Sequence, residues 1–95
     1  MKARAWKGGT YGIRVGQQNA KQFFPQHWKE IEVTAGRQTC IFPLTSTFWT
    51  TCPEFRGTTI GAWLKTHRLI PWPHGKPPQV TLTPLGGRRF RLSYP

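Results

Sequence analysis

The sequence predicts a mainly β (α+β) domain, a small and mostly antiparallel barrel of about six strands closed by two short helices. Short segments that alternate apolar and polar residues recur along the chain between turn residues, whereas only two short segments have helical spacing. Strands do not alternate with long helices, which argues against a parallel α/β sheet. Because closure removes exposed sheet edges, a barrel is favoured over an open sheet.

The alternating segments define the strands and the turns between them. They cover residues 11–15, 30–34, 38–44, 79–83 and 88–93. The segment Cys40–Thr51 is rich in aromatic and β-branched residues, and we expect it to extend as a β-hairpin arm. Gly86 and Gly87 form a hairpin signal before the last strand. A chain of 95 residues forms a single domain, predicted to cover 11–95 behind a flexible basic leader at 1–10.

Two segments have helical character. The longer one covers 58–69, with Thr58 or Thr59 as the expected N-cap. Its apolar residues fall near one face: Ile60, Trp63, Leu64 and Leu69. The shorter helix is predicted over 20–24, with Asn19 as its N-cap.

Charge gives the clearest indication of a partner. Fourteen Lys and Arg residues against three acids leave a net charge of +11, and the basic residues are spread from Lys2 to Arg91. A folded domain with dispersed positive charge favours a polyanion, most often nucleic acid. The chain contains no apolar run of bilayer length and no signal-peptide pattern, so we expect an intracellular protein of the cytoplasm or nucleoid without a membrane partner. We also expect a monomer.

Metal binding and catalysis find little support in the sequence. Cys40, Cys52, His67 and His74 match no zinc-site spacing, so we expect free thiols, no metal and no cofactor. The three carboxylates and three histidines do not form a catalytic pattern, and we expect no enzyme. A metal-independent ribonuclease toxin stays open as an alternative, because small basic toxins need few acidic residues.

Three motifs carry a resemblance to a known family. They are Phe-Trp-Thr-Thr at 48–51, Gly-Ala-Trp-Leu at 61–64 and Val-Thr-Leu at 80–82, the last preceded by a proline- and glycine-rich link. Together with the order of elements from Tyr11 to Leu92, they resemble the B-three DNA-binding pseudobarrel of plant transcription factors and of restriction-endonuclease effector-binding domains. Lys76 stands where that family usually has an acidic residue, which favours a divergent prokaryotic or mobile-element member.

The resemblance implies an open antiparallel pseudobarrel of six or seven strands that grips the major groove of double-stranded DNA with two arms, 14–21 and 47–56. The chain would be a recognition module of a regulatory or restriction/mobile-element system, as part of a larger protein or complex. Side chains suited to base edges are Arg14, Gln17, Gln18, Asn19, Thr47, Trp49, Thr50, Thr51, Glu54 and Arg56. Side chains suited to phosphates are Lys21, Lys65, Arg68 and Arg88.

Several of these residues have structural alternatives. Asn19 is equally suited to capping a helix, and the favoured interpretation for Glu54 is a local ion pair with Arg56 or a cap to the loop. Core packing is favoured for Trp49, as it is for Trp28, Trp63 and Trp72. Trp6 can either dock on the domain or serve as a stacking group. The alternative function is a small RNA-binding or RNA-cleaving β-barrel that uses exposed aromatic residues on single-stranded bases.

Overall fold

The computed structural model describes residues 1–94 and confirms a mainly β fold with two short helices. The elements in chain order are β1 Lys2–Gly8, β2 Thr10–Arg14, α1 Gln17–Phe23, β3 Glu30–Ala35, β4 Gln38–Pro43, a 3₁₀ helix Ser46–Trp49, β5 Glu54–Arg56, α2 Thr58–Thr66, β6 Gln79–Gly86 and β7 Arg89–Ser93.

The seven strands form one sheet in the order β4-β3-β7-β6-β1-β2-β5. The edge strands β4 and β5 face each other across a seam, where the Phe42 and Phe55 rings lie 5.0 Å apart between centroids. The sheet is therefore a nearly closed barrel with a seam, which confirms the prediction of a small open pseudobarrel. Neighbouring strands are antiparallel except β3 and β7, which are parallel because the chain returns to β3 only with its last strand.

The core lies inside the barrel and follows the alternation of the strands. Ile31 and Val33 of β3 and Phe90 and Leu92 of β7 are buried, while their neighbours in sequence face outward. Phe24, after α1, stacks on Phe90 with ring centroids 4.8 Å apart. The tryptophans that the sequence assigned to the core do pack there: Trp63 is buried, and Trp28 and Trp72 are half-buried against it.

The first strand corrects the prediction of a flexible leader. β1 pairs with β2 on one side and with β6 on the other, and Ala3 and Ala5 are buried in the core. The N-terminal amine of Met1 donates to the Leu82 carbonyl at 2.8 Å. Alanine carries little apolar surface, so the alternation of Ala3 and Ala5 with basic residues gives only a weak strand signal.

The predicted β-hairpin arm is also wrong beyond Pro43. Phe48 and Trp49 are adjacent and both buried, which a strand cannot achieve because its successive side chains point to opposite faces. A 3₁₀ turn places both side chains on the core side instead. The sheet returns to extended conformation only at Glu54.

The helix boundaries and caps differ from the predicted ones: α1 begins three residues before the predicted start at residue 20, and α2 ends at Thr66 rather than at residue 69. α1 begins at Gln17 with Gly16 at the N-cap, so Asn19 lies inside the helix. α2 begins at Thr58 with Gly57 at the N-cap, in place of the predicted threonines. In both helices a glycine precedes the first turn and no side chain caps it.

Substitutions in β1 test its place in the sheet. Ala5→Asp puts a carboxylate at a position that is 1% exposed, and we expect it to lower the free energy of unfolding by about 3 kcal/mol or more. Lys7→Asp changes an exposed residue of the same strand and should cost less than about 1 kcal/mol. Urea unfolding followed by circular dichroism measures both. Equal, small effects would mean that β1 does not pack as a strand.

Candidate nucleic-acid interface

The two predicted arms lie side by side. β2 pairs with β5, so that Arg14 stands directly opposite Glu54. The Val15 amide donates to the Pro53 carbonyl at 2.9 Å, and the Gln17 side-chain amide donates to the Thr50 carbonyl. Residues 14–21 and 47–56, far apart in sequence, thus share one end of the barrel, which we call the α1 end.

An ion pair joins the two arms. The Arg14 guanidinium donates from Nη2 and Nε to Glu54 Oε2, at 2.9 and 3.1 Å. The favoured sequence interpretation paired Glu54 with Arg56, and this is wrong because the strand register brings Arg14 opposite Glu54. Arg56 instead donates from Nη1 to the Gly8 carbonyl at 3.1 Å. With the Arg14 side chain 55% exposed, the ion pair contributes at most about 1 kcal/mol of stability.

Trp6 lies beside this ion pair on the outer face of the sheet. It stands opposite Gly12, and its indole covers Gly8 and Gly12: a Cβ atom at Gly8 would lie 2.0 Å from the ring, and one at Gly12 2.7 Å from Nε1. Only glycine leaves this space. The Cζ atoms of Arg14 and Arg56 lie 5.3 and 5.8 Å from the indole centroid, within cation–π range. We call Trp6, Arg14, Glu54 and Arg56 the Trp6 cluster.

The position of Trp6 in the sheet was not predicted, because residues 1–10 were expected to form a flexible leader. The available signal was the alternation of Ala3 and Ala5 with Arg4 and Trp6, followed by a Gly-Gly turn. Within residues 1–94, Trp6 Nε1 is buried and has no hydrogen-bond acceptor.

Other predicted base-contacting residues are occupied within the fold. Trp49 is 6% exposed and its Nε1 donates to the Phe24 carbonyl at 2.6 Å, which argues against a base contact and fits the favoured core interpretation. The Asn19 amide donates to the Lys2 and Val15 carbonyls at 2.9 and 3.0 Å. Asn19 therefore ties α1 to β1 and to the end of β2.

Seven of the ten predicted base-contacting residues are exposed: Arg14, Gln17, Gln18, Thr47, Thr50, Thr51 and Arg56. The Thr47 and Thr50 hydroxyls make local contacts, to the Thr45 hydroxyl and the Thr47 carbonyl. The side chains of Gln18 and Thr51 make no hydrogen bond within residues 1–94. Gln18 and Thr51 directly follow Gln17 and Thr50, whose hydrogen bond joins the two arms.

The four predicted phosphate-contacting residues divide between the two ends of the barrel, and all are exposed. Lys21 lies in α1, and Arg88 lies in the β6–β7 turn, which antiparallel pairing of β6 with β1 brings to the α1 end. Lys65 lies in the last turn of α2 and Arg68 lies two residues after it, and the N-cap amide of α2 donates to the Tyr11 carbonyl near the start of β2. Lys65 and Arg68 therefore lie toward the opposite end.

The chemistry of the remaining polar groups is limited. In the described part of the chain, no three His, Cys, Asp or Glu residues lie close enough to share a metal ion. Both thiols are free; Cys40 contacts the Thr59 hydroxyl at 3.0 Å and Cys52 is exposed. A groove of about 400 Å³ opens at the seam beside the second arm, with Glu54 and Arg56 in its wall. No helix formed by residues 1–94 has the length and apolar character to span a bilayer.

Gly12→Ala tests the packing of Trp6 on the sheet. A Cβ atom at this position would lie 2.6 Å from the Phe55 carbonyl and 2.8 Å from Arg56 Cβ, so the strands or the indole must shift. We expect the free energy of unfolding to fall by about 1–3 kcal/mol. Thr10→Ala, an exposed change in the same strand, is the control and should stay within about 0.5 kcal/mol. A Gly12→Ala protein as stable as the control would contradict the close packing of Trp6.

Comparisons of the chain with known proteins found no match to a family model, a curated protein or a solved structure.

Proposed function

We propose that the protein binds double-stranded DNA through the α1 end of the barrel and serves as a recognition module of a regulatory or restriction/mobile-element system inside the cell. The observation that carries the proposal is the joining of the two arms: the pairing of β2 with β5 and the hydrogen bond from the Val15 amide to the Pro53 carbonyl hold residues 14–21 beside residues 47–56. Two chain segments on a rigid sheet can present side chains to one groove in fixed register.

The exposed side chains of the arms suit base edges in the major groove. Gln18 has an amide that matches the donor and acceptor of adenine, and Thr51 offers a hydroxyl and a methyl group that can contact thymine. Lys21 follows Gln18 by less than one helical turn and is exposed, which suits it to a neighbouring phosphate. Base reading and backbone contact would thus come from the same short helix.

Two further observations favour duplex over single-stranded nucleic acid. Single-strand binders stack bases on exposed aromatic rings. Within residues 1–94, Tyr94 is the only aromatic side chain in the exposed class, at 45%, whereas the other aromatic residues are buried or half-buried. From β2 onward, the order strand, helix, hairpin, helix and terminal hairpin is also the one on which the resemblance to the B-three pseudobarrel rests, which supports the proposal. An RNA-binding or RNA-cleaving barrel is therefore the less favoured alternative.

Site selection from a randomised duplex tests the proposal, with the double variant Gln18→Ala/Thr51→Ala compared with wild type. We expect wild type to enrich one short motif and the variant to lose preference for it by roughly 5- to 100-fold, since one base contact is worth about 1–3 kcal/mol of discrimination. Affinity for random duplex should change by less than about threefold, because phosphate contacts supply most non-specific binding.

A matched control carries the same two changes away from the arms. Gln38→Ala/Thr39→Ala alters exposed residues at the start of β4, next to the β3–β4 turn, and should keep the motif preference of wild type. Preference for a single strand of equal length, or an enriched motif that both double variants retain, would contradict the proposal.

A further inference from the structure

The outer face of β1, β2 and β5 carries the Trp6 cluster, whose side chains make no DNA contact in the function proposed above. We propose that the Trp6 cluster is a binding site for one phosphodiester of the DNA backbone, in which the phosphate takes the place of Glu54 on Arg14. This inference rests on the proposed function, because it specifies how the sheet face next to the two arms holds duplex DNA.

Trp6 holds two guanidinium groups over one ring. The indole packs on Gly8 and Gly12, and the Cζ atoms of Arg14 and Arg56 lie over the ring, 5.3 and 5.8 Å from its centroid. A long side chain held in this way has already lost rotamer freedom that binding would otherwise remove. The cluster is therefore preorganised for an anion.

Both arginines keep N–H groups for a ligand. A guanidinium has five N–H donors, of which Arg14 uses Nε and one on Nη2 for Glu54, and Arg56 uses one on Nη1 for the Gly8 carbonyl. Planar guanidinium groups match the paired oxygens of a phosphate. A base would have to displace both guanidiniums before it could stack on Trp6, so the geometry favours phosphate.

The charge of this face also favours an anion. Arg4 stands directly opposite Arg14 across β1 and β2, and Lys2 faces the same side two residues earlier. Together with Arg14 and Arg56 they place four cations around one carboxylate, that of Glu54. In the free protein the Glu54 carboxylate accepts hydrogen bonds from Arg14. A phosphate offers Arg14 the same kind of oxygen acceptor, and the excess positive charge of this face favours the bound anion.

The buried N–H of Trp6 is consistent with a binding role at this position. Within residues 1–94 it has no acceptor, so the indole N–H destabilises the fold where a phenyl ring would not. Side chains that lower stability without a structural gain collect at functional sites. The large, electron-rich indole also binds cations more strongly than a phenyl ring.

The test measures how duplex affinity depends on salt for wild type, Trp6→Leu and Trp72→Leu. Trp72 is a half-buried tryptophan that packs on Tyr11 away from the cluster, so Trp72→Leu is the matched control. Losing one phosphate contact lowers the slope of log K against log salt by about 0.9. We expect that change for Trp6→Leu, with roughly five- to tenfold weaker binding at 0.1 M salt, and a slope equal to wild type for Trp72→Leu.

Glu54→Gln keeps the size of the side chain and gives a second readout that does not depend on the stability of Trp6→Leu. If phosphate replaces Glu54 on Arg14, loss of the carboxylate should strengthen duplex binding several-fold at low salt. If Glu54 accepts a hydrogen bond from a cytosine, the same change should weaken binding and relax the preferred motif.

The outcomes separate the two proposals. Wild type that fails to bind duplex overturns the proposed function. Wild type that binds duplex while Trp6→Leu keeps its slope, or while Glu54→Gln weakens binding, overturns the phosphate site alone. A single strand of equal length is titrated in parallel, and a slope that depends on Trp6 only for the single strand also overturns the site.

Discussion

Strand β1 holds the two parts of the barrel together. In the sheet it lies between β6, which continues to β7, β3 and β4, and β2, which continues to β5. Its inner face contributes only Ala3 and Ala5 to the core, so its stabilising effect comes chiefly from backbone hydrogen bonds on both edges. Its outer face carries Trp6 and so supplies the centre of the proposed phosphate site. Both the closure of the barrel and the surface around Trp6 therefore depend on β1.

The arms take their positions from the sheet. The register of β2 with β5 fixes Arg14 against Glu54, and the indole of Trp49 fixes the 3₁₀ helix on Phe24. Ordered, hydrogen-bonded segments lose little conformational freedom when a ligand binds. A duplex that meets this surface would meet side chains already held in register, with the positive charge of the Trp6 cluster beside the polar residues of the arms.

Much of the fold could be predicted because its strands alternate strongly. Ile31 and Val33 of β3, and Phe90 and Leu92 of β7, mark the buried face of each strand and so limit the register in which neighbouring strands can pair. β1 could not be predicted because alanine gives little contrast with the residues around it. The 3₁₀ helix was missed because Phe48 and Trp49 have strong strand propensity, and tertiary burial of both residues outweighed that propensity.

The candidate site depends still more on contacts between distant residues. The proximity of Arg14 to Glu54, 40 positions along the chain, is set by strand register, and so is that of Trp6 to Gly12. The residue types predicted the arms and their positive charge. The partner of each charged group is determined only by the pairing of the strands. This is why the expected pair of Glu54 with Arg56 was wrong.

Titration of the ¹⁵N-labelled protein with duplex DNA, followed by nuclear magnetic resonance, tests the central claim most directly. The five indole N–H groups report separately on different parts of the barrel. Binding through the α1 end predicts the largest shifts along α1 and at Thr51, and the phosphate site adds shifts of the Trp6 indole and of the Nε–H groups of Arg14 and Arg56, with Trp63 and Trp72 unchanged. The largest shifts at Trp72 and along α2, or equal shifts at all five indoles, would contradict the account.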